Sequence, residues 1–345
     1  MKIVKKIFKW ILIIAISIPI LLIVGIFLCK LTIYGKSKLT NDISEIRLVN
    51  IGGYNQKILL EGKNKEAPLL VILHGGPAVP VPFGAGYRGY YPKLTDNYIV
   101  VEWDQYGCGN NPADYHNLET KDYVKMTEDL IVYLKNEYPD KELYLLGISW
   151  GSFLGAYVVN DVPNLVDKYI SYGTLIGMNL AYEYSKKYLL SIDLLPEDRA
   201  EIEKMTSYDY DYLLRMQYIG EKYDFDTQGL NKMDNYFYKA LFRLLISPDY
   251  SFSNISYYFK DNEVKSKLFD AVENDNVMDE VEKISVPTYI IQGKYDNTTP
   301  HSVVDELLNI KSNFNYFELE SSGHVPTEED LEKMLNYIVE LKNIK

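Results

Sequence analysis

Gly147-Ile148-Ser149-Trp150-Gly151 sets one serine between two glycines, each two residues away. Glycines in a G-x-S-x-G pentapeptide allow a tight strand-to-helix turn that holds a serine oxygen exposed, ready to attack a carbonyl. The apolar lead-in at 143–146 reads as a strand and the segment 152–163 as a helix, the setting such a turn needs. An ordinary serine in a glycine-rich loop is the alternative. A serine at neutral pH needs a base to take its proton, and the base needs an acid to orient it. The chain holds four histidines, His74, His116, His301 and His324. The order expected for this turn is serine, acid, histidine, which leaves His301 and His324. His324 follows the last apolar strand in SSGHVP, whereas His301 opens a helix in TTPHSVV, where a cap or surface role is expected. The acid belongs just past a strand end, where Asp296 stands in YIIQGKYDNTTP; Asp305 lies mid-helix and Glu320 ends the preceding strand. An Asx turn beside Asn297 is the competing reading of Asp296.

A tetrahedral intermediate also needs two backbone N–H donors for its oxyanion. The residue after the serine, Trp150, supplies one, and Gly76 in His74-Gly75-Gly76-Pro77 the other. His74 itself is expected to fix this loop as a buried, hydrogen-bonded residue. Cys29 and Cys108 are the chain's two cysteines, one in an apolar run and one in a loop, so no disulfide framework is expected. No Cys/His spacing indicates a metal site, and the chemistry calls for no cofactor. A formal net charge of −12 argues against a nucleic-acid partner.

Positioning these residues requires strands that end together. The runs 69–73, 98–103 and 143–148 are apolar, Glu102 apart, and alternate with helical patterns such as 120–138. Such strands indicate an α/β fold, a mostly parallel sheet of about eight strands with helices on both faces. The runs 43–50 and 56–62 alternate around IGGYN and read as a hairpin. Near Thr174 the rhythm stops. Residues 174–276 are tyrosine-rich and helical in period, and the β/α pattern returns in 277–345. The expected organisation is a core in two parts, 43–173 and 277–345, split by a helical cap insertion.

The first thirty residues differ. Lys2, Lys5, Lys6 and Lys9 precede Trp10–Cys29, which carries no charge. Twenty helical residues span about 30 Å, the thickness of a bilayer core. A single-pass membrane anchor over 1–30 is expected, followed by a linker over 31–42. A cleaved signal peptide is the rival, but the run is long and no A-x-A site follows. The leading lysines argue for a cytoplasmic N-terminus and an extracytoplasmic domain; Lys30, Lys36 and Lys38 lie on the other flank.

Taken together, HGGP, WDQYGCG, GISWGS, GKYD and GHVP occur in an order and at separations that resemble the α/β-hydrolase superfamily, and within it the proline iminopeptidase-like serine peptidases. The resemblance covers about residues 43–345. It implies an eight-stranded sheet, a helical cap between the sixth and seventh strands, and release of an N-terminal residue, often proline, from short peptides. A carboxylesterase or lipase-like hydrolase is the alternative activity, and a non-catalytic tethered binding protein the alternative class. The family's HGGPG reads HGGPA here, and DQRGxGxS reads Asp104-Gln105-Tyr106-Gly107-Cys108-Gly109-Asn110-Asn111. Tyr106 therefore stands where an arginine would, in a loop that borders the site of relatives. An aminopeptidase also needs cap carboxylates for the substrate ammonium. Glu183 is the first candidate, with Glu201, Glu203 and Glu221 behind it; the rival reading of each is a solvated helix face.

Overall fold

A computed structural model describes residues 2–77, 88–89, 91–113, 118–206, 215–216, 218–220, 222–223, 242–254 and 275–344. His116 and Glu221 lie outside them. The alternating runs form an antiparallel hairpin, β1 (Ile43–Ile51) and β2 (Tyr54–Gly62). The apolar runs become β3 (Leu69–Leu73), β4 (Ile99–Trp103), β5 (Leu143–Ile148), β6 (Lys168–Tyr172) and β7 (Thr288–Gly293), buried at every residue. With β8 (Asn315–Leu319) they make one eight-stranded sheet, ordered β1-β2-β4-β3-β5-β6-β7-β8, in which only β2 runs against the rest.

Strands buried on both faces need a helical layer on each. One layer holds α3 (Thr120–Glu137), α4 (Trp150–Asp161), α7 (Met278–Lys283) and α8 (His301–Ile310), whose apolar residues join one core cluster. The other holds α2 (Pro92–Thr95) and α9 (Glu328–Glu340), with Leu94, Met334, Leu335 and Ile338 in the second cluster. α9 opens on a real cap, Thr327 accepting from the Asp330 amide at 3.2 Å.

Between β6 and α7 the chain leaves the sheet. α5 (Met178–Ser191) and α6 (Pro196–Lys204) follow, and residues 242–246 are also helical. The ends of the excursion meet: Gly177 bridges Asn276, and the Val277 amide donates to Ile176 O at 2.8 Å.

The N-terminal helix α1 (Lys2–Thr40) is one helix long and apolar enough to cross a membrane. It continues to Thr40, so residues 31–40 are not the separate linker expected over 31–42. They stay helical because the far end docks: Ser37 is buried, sits 2.6 Å from Ser44 of β1, and donates to Glu61 of β2. Asn41, one residue past the helix, adds a 2.9 Å bond to the same carboxylate.

Candidate active site

Parallel register brings the strand ends level. Leu73 pairs with Trp103 and Gly147, Ile148 with Tyr172, and Gly293 with Leu319. The loops after β3, β4, β5, β7 and β8 therefore open at one edge, where ligands bind in sheets of this kind. They carry Gly76, Asp104, Ser149, Asp296 and His324.

Ser149 sits between β5 and α4 with φ 52° and ψ −119°, the one non-glycine residue at positive φ among those described. Such a conformation costs on the order of 1–3 kcal/mol and persists only when the surroundings over-determine it. Here they do. The Ser149 amide donates to Tyr172 O at 2.8 Å, and Ser149 O accepts from the Ser152 amide at 2.8 Å and from Ser152 Oγ at 2.6 Å. Both flanking glycines are required by contact: a Cβ on Gly147 would lie 2.5 Å from Gly151 O, and one on Gly151 would strike the Leu73 carbonyl. Trp150 opens α4, so its N–H belongs to the helix-terminal donors that have no partner within the helix.

Asp296 and His324 meet at this edge. His324 Nδ1 lies 2.9 Å from Asp296 Oδ2, with the histidine side chain 18% exposed and the carboxylate fully enclosed. Four further donors hold that carboxylate. Gln292 Nε2 and Thr299 Oγ1 reach Oδ2 at 2.9 and 2.8 Å, and the Thr298 and Thr299 amides reach Oδ1 at 3.0 and 2.8 Å. The Asx-type turn read as a rival to an acid role is thus present as well, and it fixes the carboxylate. A histidine donating Nδ1–H to a fixed carboxylate leaves Nε2 as a proton acceptor.

His74 is held differently. Its ring is buried, with Nδ1 2.6 Å from Gly75 O and Nε2 accepting the Gln105 amide at 2.9 Å. These partners define the tautomer with the proton on Nδ1, and burial pulls the ring's pKa down to about 4. Gln105 returns a bond from Nε2 to His74 O at 3.0 Å, and its Oε1 accepts from Trp150 Nε1 at 3.0 Å. One buried glutamine thus ties the loop of Gly76 to the helix start of Trp150. Sequence reading missed Gln105, Gln292 and Thr299; for Gln105 the signal was its place inside WDQYGCG.

A model of the α/β hydrolase fold matches residues 68–201. The probable aminopeptidase YbaC of Bacillus subtilis (strain 168) is 26% identical over 305 residues, 84% of this chain and 93% of that protein. The proline iminopeptidase of Saccharolobus solfataricus is 28% identical over 315 residues, covering 85% and 90% of the two chains. Among solved structures, that of a membrane phospholipase A superposes with a TM-score of 0.61 at 17% identity, over 98% of this chain and 97% of that one. The chain has the α/β hydrolase fold and is similar to the proline iminopeptidases.

In this hydrolase the departures from the family pattern have local partners. Asn111, where the pattern has serine, is buried and stitches its loop to β2: Oδ1 accepts the Lys57 amide at 2.6 Å, and Nδ2 donates to Lys57 O and Asp104 O at 2.9 and 2.6 Å. Tyr106 stacks on Tyr54, centroids 4.2 Å apart, and its carbonyl accepts from Tyr123. Among the described residues none encloses Glu183, which is exposed. Ser185 of α5 bonds Asn297 O at 2.5 Å, and Glu183, two residues back and so about 200° around the helix, faces solvent. Glu201 pairs with Arg215, and Glu203 is exposed. Among the described residues no cluster could hold a metal ion.

Asp104 is a second buried acid at this edge. Tyr250, from the excursion between β6 and α7, donates its hydroxyl to both carboxylate oxygens at 2.8 and 2.6 Å, and the Asn110 amide adds 2.6 Å. Burial outweighs these bonds and raises the Asp104 pKa to about 6.

Proposed function

We propose that this chain is a membrane-anchored serine hydrolase that works through an acyl-enzyme, with Ser149, Asp296 and His324 as its catalytic residues and an N-terminal aminoacyl group, proline above all, as its acyl portion. Ser149 Oγ attacks the carbonyl while His324 Nε2 takes its proton. Asp296 holds the imidazole through Nδ1 and stabilises the imidazolium. The oxyanion is met by the N–H groups of Gly76 and Trp150. His324 then passes the proton to the leaving amine, and water repeats the sequence to free Ser149. The observation that carries this reading is the strained Ser149, kept at φ 52° at the same sheet edge as the 2.9 Å Asp296–His324 pair. The peptidase choice is supported by the aminopeptidase and proline iminopeptidase relatives.

The anchor reading is supported by the exposed, apolar first part of α1, and the leading lysines favour an extracytoplasmic domain. The two core segments and a cap over 174–276 remain the proposed domain plan.

Fluorophosphonate labelling of the full chain tests the chemistry: label is expected on the parent and none on Ser149→Ala. Turnover of Pro- and Ala-arylamides against short acyl esters tests the substrate; ester cleavage without amide cleavage would replace the peptidase by an esterase.

A further inference from the structure

We infer that the cap segment Phe242–Asn254 rests on the bilayer surface, with Phe242 and Phe252 seated among the lipid headgroups. The inference rests on the anchor reading above and adds which face of the hydrolase meets lipid.

The contacts of α1 with the domain are ordered along its axis. Lys30, the first charge after the uncharged stretch Trp10–Cys29, donates Nζ to Ser247 O at 2.7 Å and to Tyr250 O at 2.6 Å. One turn later Tyr34 lies under the Arg88 guanidinium, 5.4 Å from its centroid. Ser37 and Asn41 then reach Ser44 and Glu61. At 1.5 Å per residue, Asn41 stands roughly 16 Å beyond Lys30 along the axis. Of these contacts, the one to the cap segment is therefore nearest the membrane, at the level where the apolar stretch ends.

That segment is pinned on three sides. Beyond Lys30, Asp249 accepts from Arg88 Nη2 and Nε at 3.0 and 3.2 Å in a buried pair, and Tyr250 bonds Asp104. Yet it exposes two large aromatic rings, Phe242 at 58% and Phe252 at 65%. Phe252 is two residues from Tyr250, so its Cα is at most about 7 Å from that anchoring carbonyl's residue. Phe242 is at the start of the short helix leading to Ser247, about 7 Å of helix rise away. Each polar zone of a bilayer is roughly 5–8 Å deep, so both rings lie within reach of it. Arg243 beside Phe242 is exposed too and suits the same zone. Apolar rings fixed at this height, on a segment bonded to a membrane-spanning helix, are matched by a lipid surface.

The test is a depth ruler on the full chain in phosphatidylcholine vesicles, with and without bromine at carbons 6 and 7 of one acyl chain. Trp10→Phe removes the native indole of the apolar stretch. Leu21→Trp, Phe252→Trp and Leu39→Trp are then made singly in that background. Brominated lipid is expected to quench the first two and to spare Leu39→Trp, nine residues past Lys30. Quenching of Leu21→Trp with none of Phe252→Trp overturns the inference and leaves the anchor standing. No quenching of Leu21→Trp overturns the anchor reading and the inference with it.

Discussion

Two histidines stand at the sheet's open edge, and the regions around them do opposite work. At His74 both ring nitrogens are spent on the backbone, and burial holds the ring neutral. At His324 Nδ1 meets a carboxylate wrapped by four other donors, and the ring keeps part of its surface open. The first arrangement suits a post that holds loops. The second suits a group that gains and loses a proton. Residue type decides little here; the partner that Nδ1 meets and the openness of the ring separate the two roles.

Exchanging the two roles by mutation should give the largest effects. We expect His324→Ala to lower kcat by about 10⁴-fold or more with little change in the unfolding midpoint, since the role proposed for its side chain is proton transfer and not packing. His74→Gln should do the reverse, losing a buried, fully bonded ring at about 1–3 kcal/mol with a far smaller change in kcat. Steady-state kinetics and urea melts on both variants break the comparison if the pattern is shared or inverted. Asp296→Asn should fall near the His324 variant, about 10⁴-fold down in kcat, because the amide no longer selects the Nδ1–H tautomer. Wild-type turnover in Asp296→Asn would move the acid to another residue.

Gln105 links the two regions, so it should give an intermediate result. Gln105→Leu leaves His74 O and Trp150 Nε1 without their partner in a buried setting. The loop of Gly76 and the start of α4 would then be free to drift, and a displacement of about 1 Å can cost up to 10²-fold in rate. We expect a fall in kcat with KM nearly unchanged, and partial rescue by Gln105→Glu at low pH, where a protonated carboxyl restores both a donor and an acceptor. Equal losses in kcat and 1/KM would assign Gln105 to substrate contact.

The contrast also marks what the sequence could reveal. That Ser149, Asp296 and His324 share one sheet end could be read from the chain because each follows a strand, and parallel strands in register end together. The strand ends, the hairpin at 43–62 and α9 were readable for the same reason of period. Gln105, Gln292 and Thr299 were not, because their partners are backbone groups and side chains distant in the chain, which no spacing encodes. The docked end of α1 was missed because residues 31–40 carry polar groups that look like a linker. Those same groups, Ser37 above all, are what bind β1 and β2. Glu183 shows what spacing leaves open: a charge in the expected stretch, on a helix face that is exposed.

The smallest expected effect is the net pH dependence of the parent's stability, where two buried groups pull in opposite directions: His74, bonded to the Gln105 amide, and Asp104, which precedes Gln105 in the chain. His74 has a folded pKa near 4 against an ordinary value of 6.5. Between those pH values the unfolded chain binds more protons, so His74 makes stability rise with pH and lose on the order of 3 kcal/mol as pH falls from 6.5 to 4. Asp104 has a folded pKa near 6 against 3.8. There the folded chain binds more protons, so stability falls as pH rises from about 4 to 6, by a similar amount. The two contributions nearly cancel in the parent. Relative to it, His74→Gln should lose stability as pH is raised from 4 to 6, and Asp104→Asn should gain it over the same range. Urea midpoints taken at intervals from pH 4 to 7 read these slopes directly. Slopes of the same sign in both variants would mean that the burial around Gln105 does not set these two titrations.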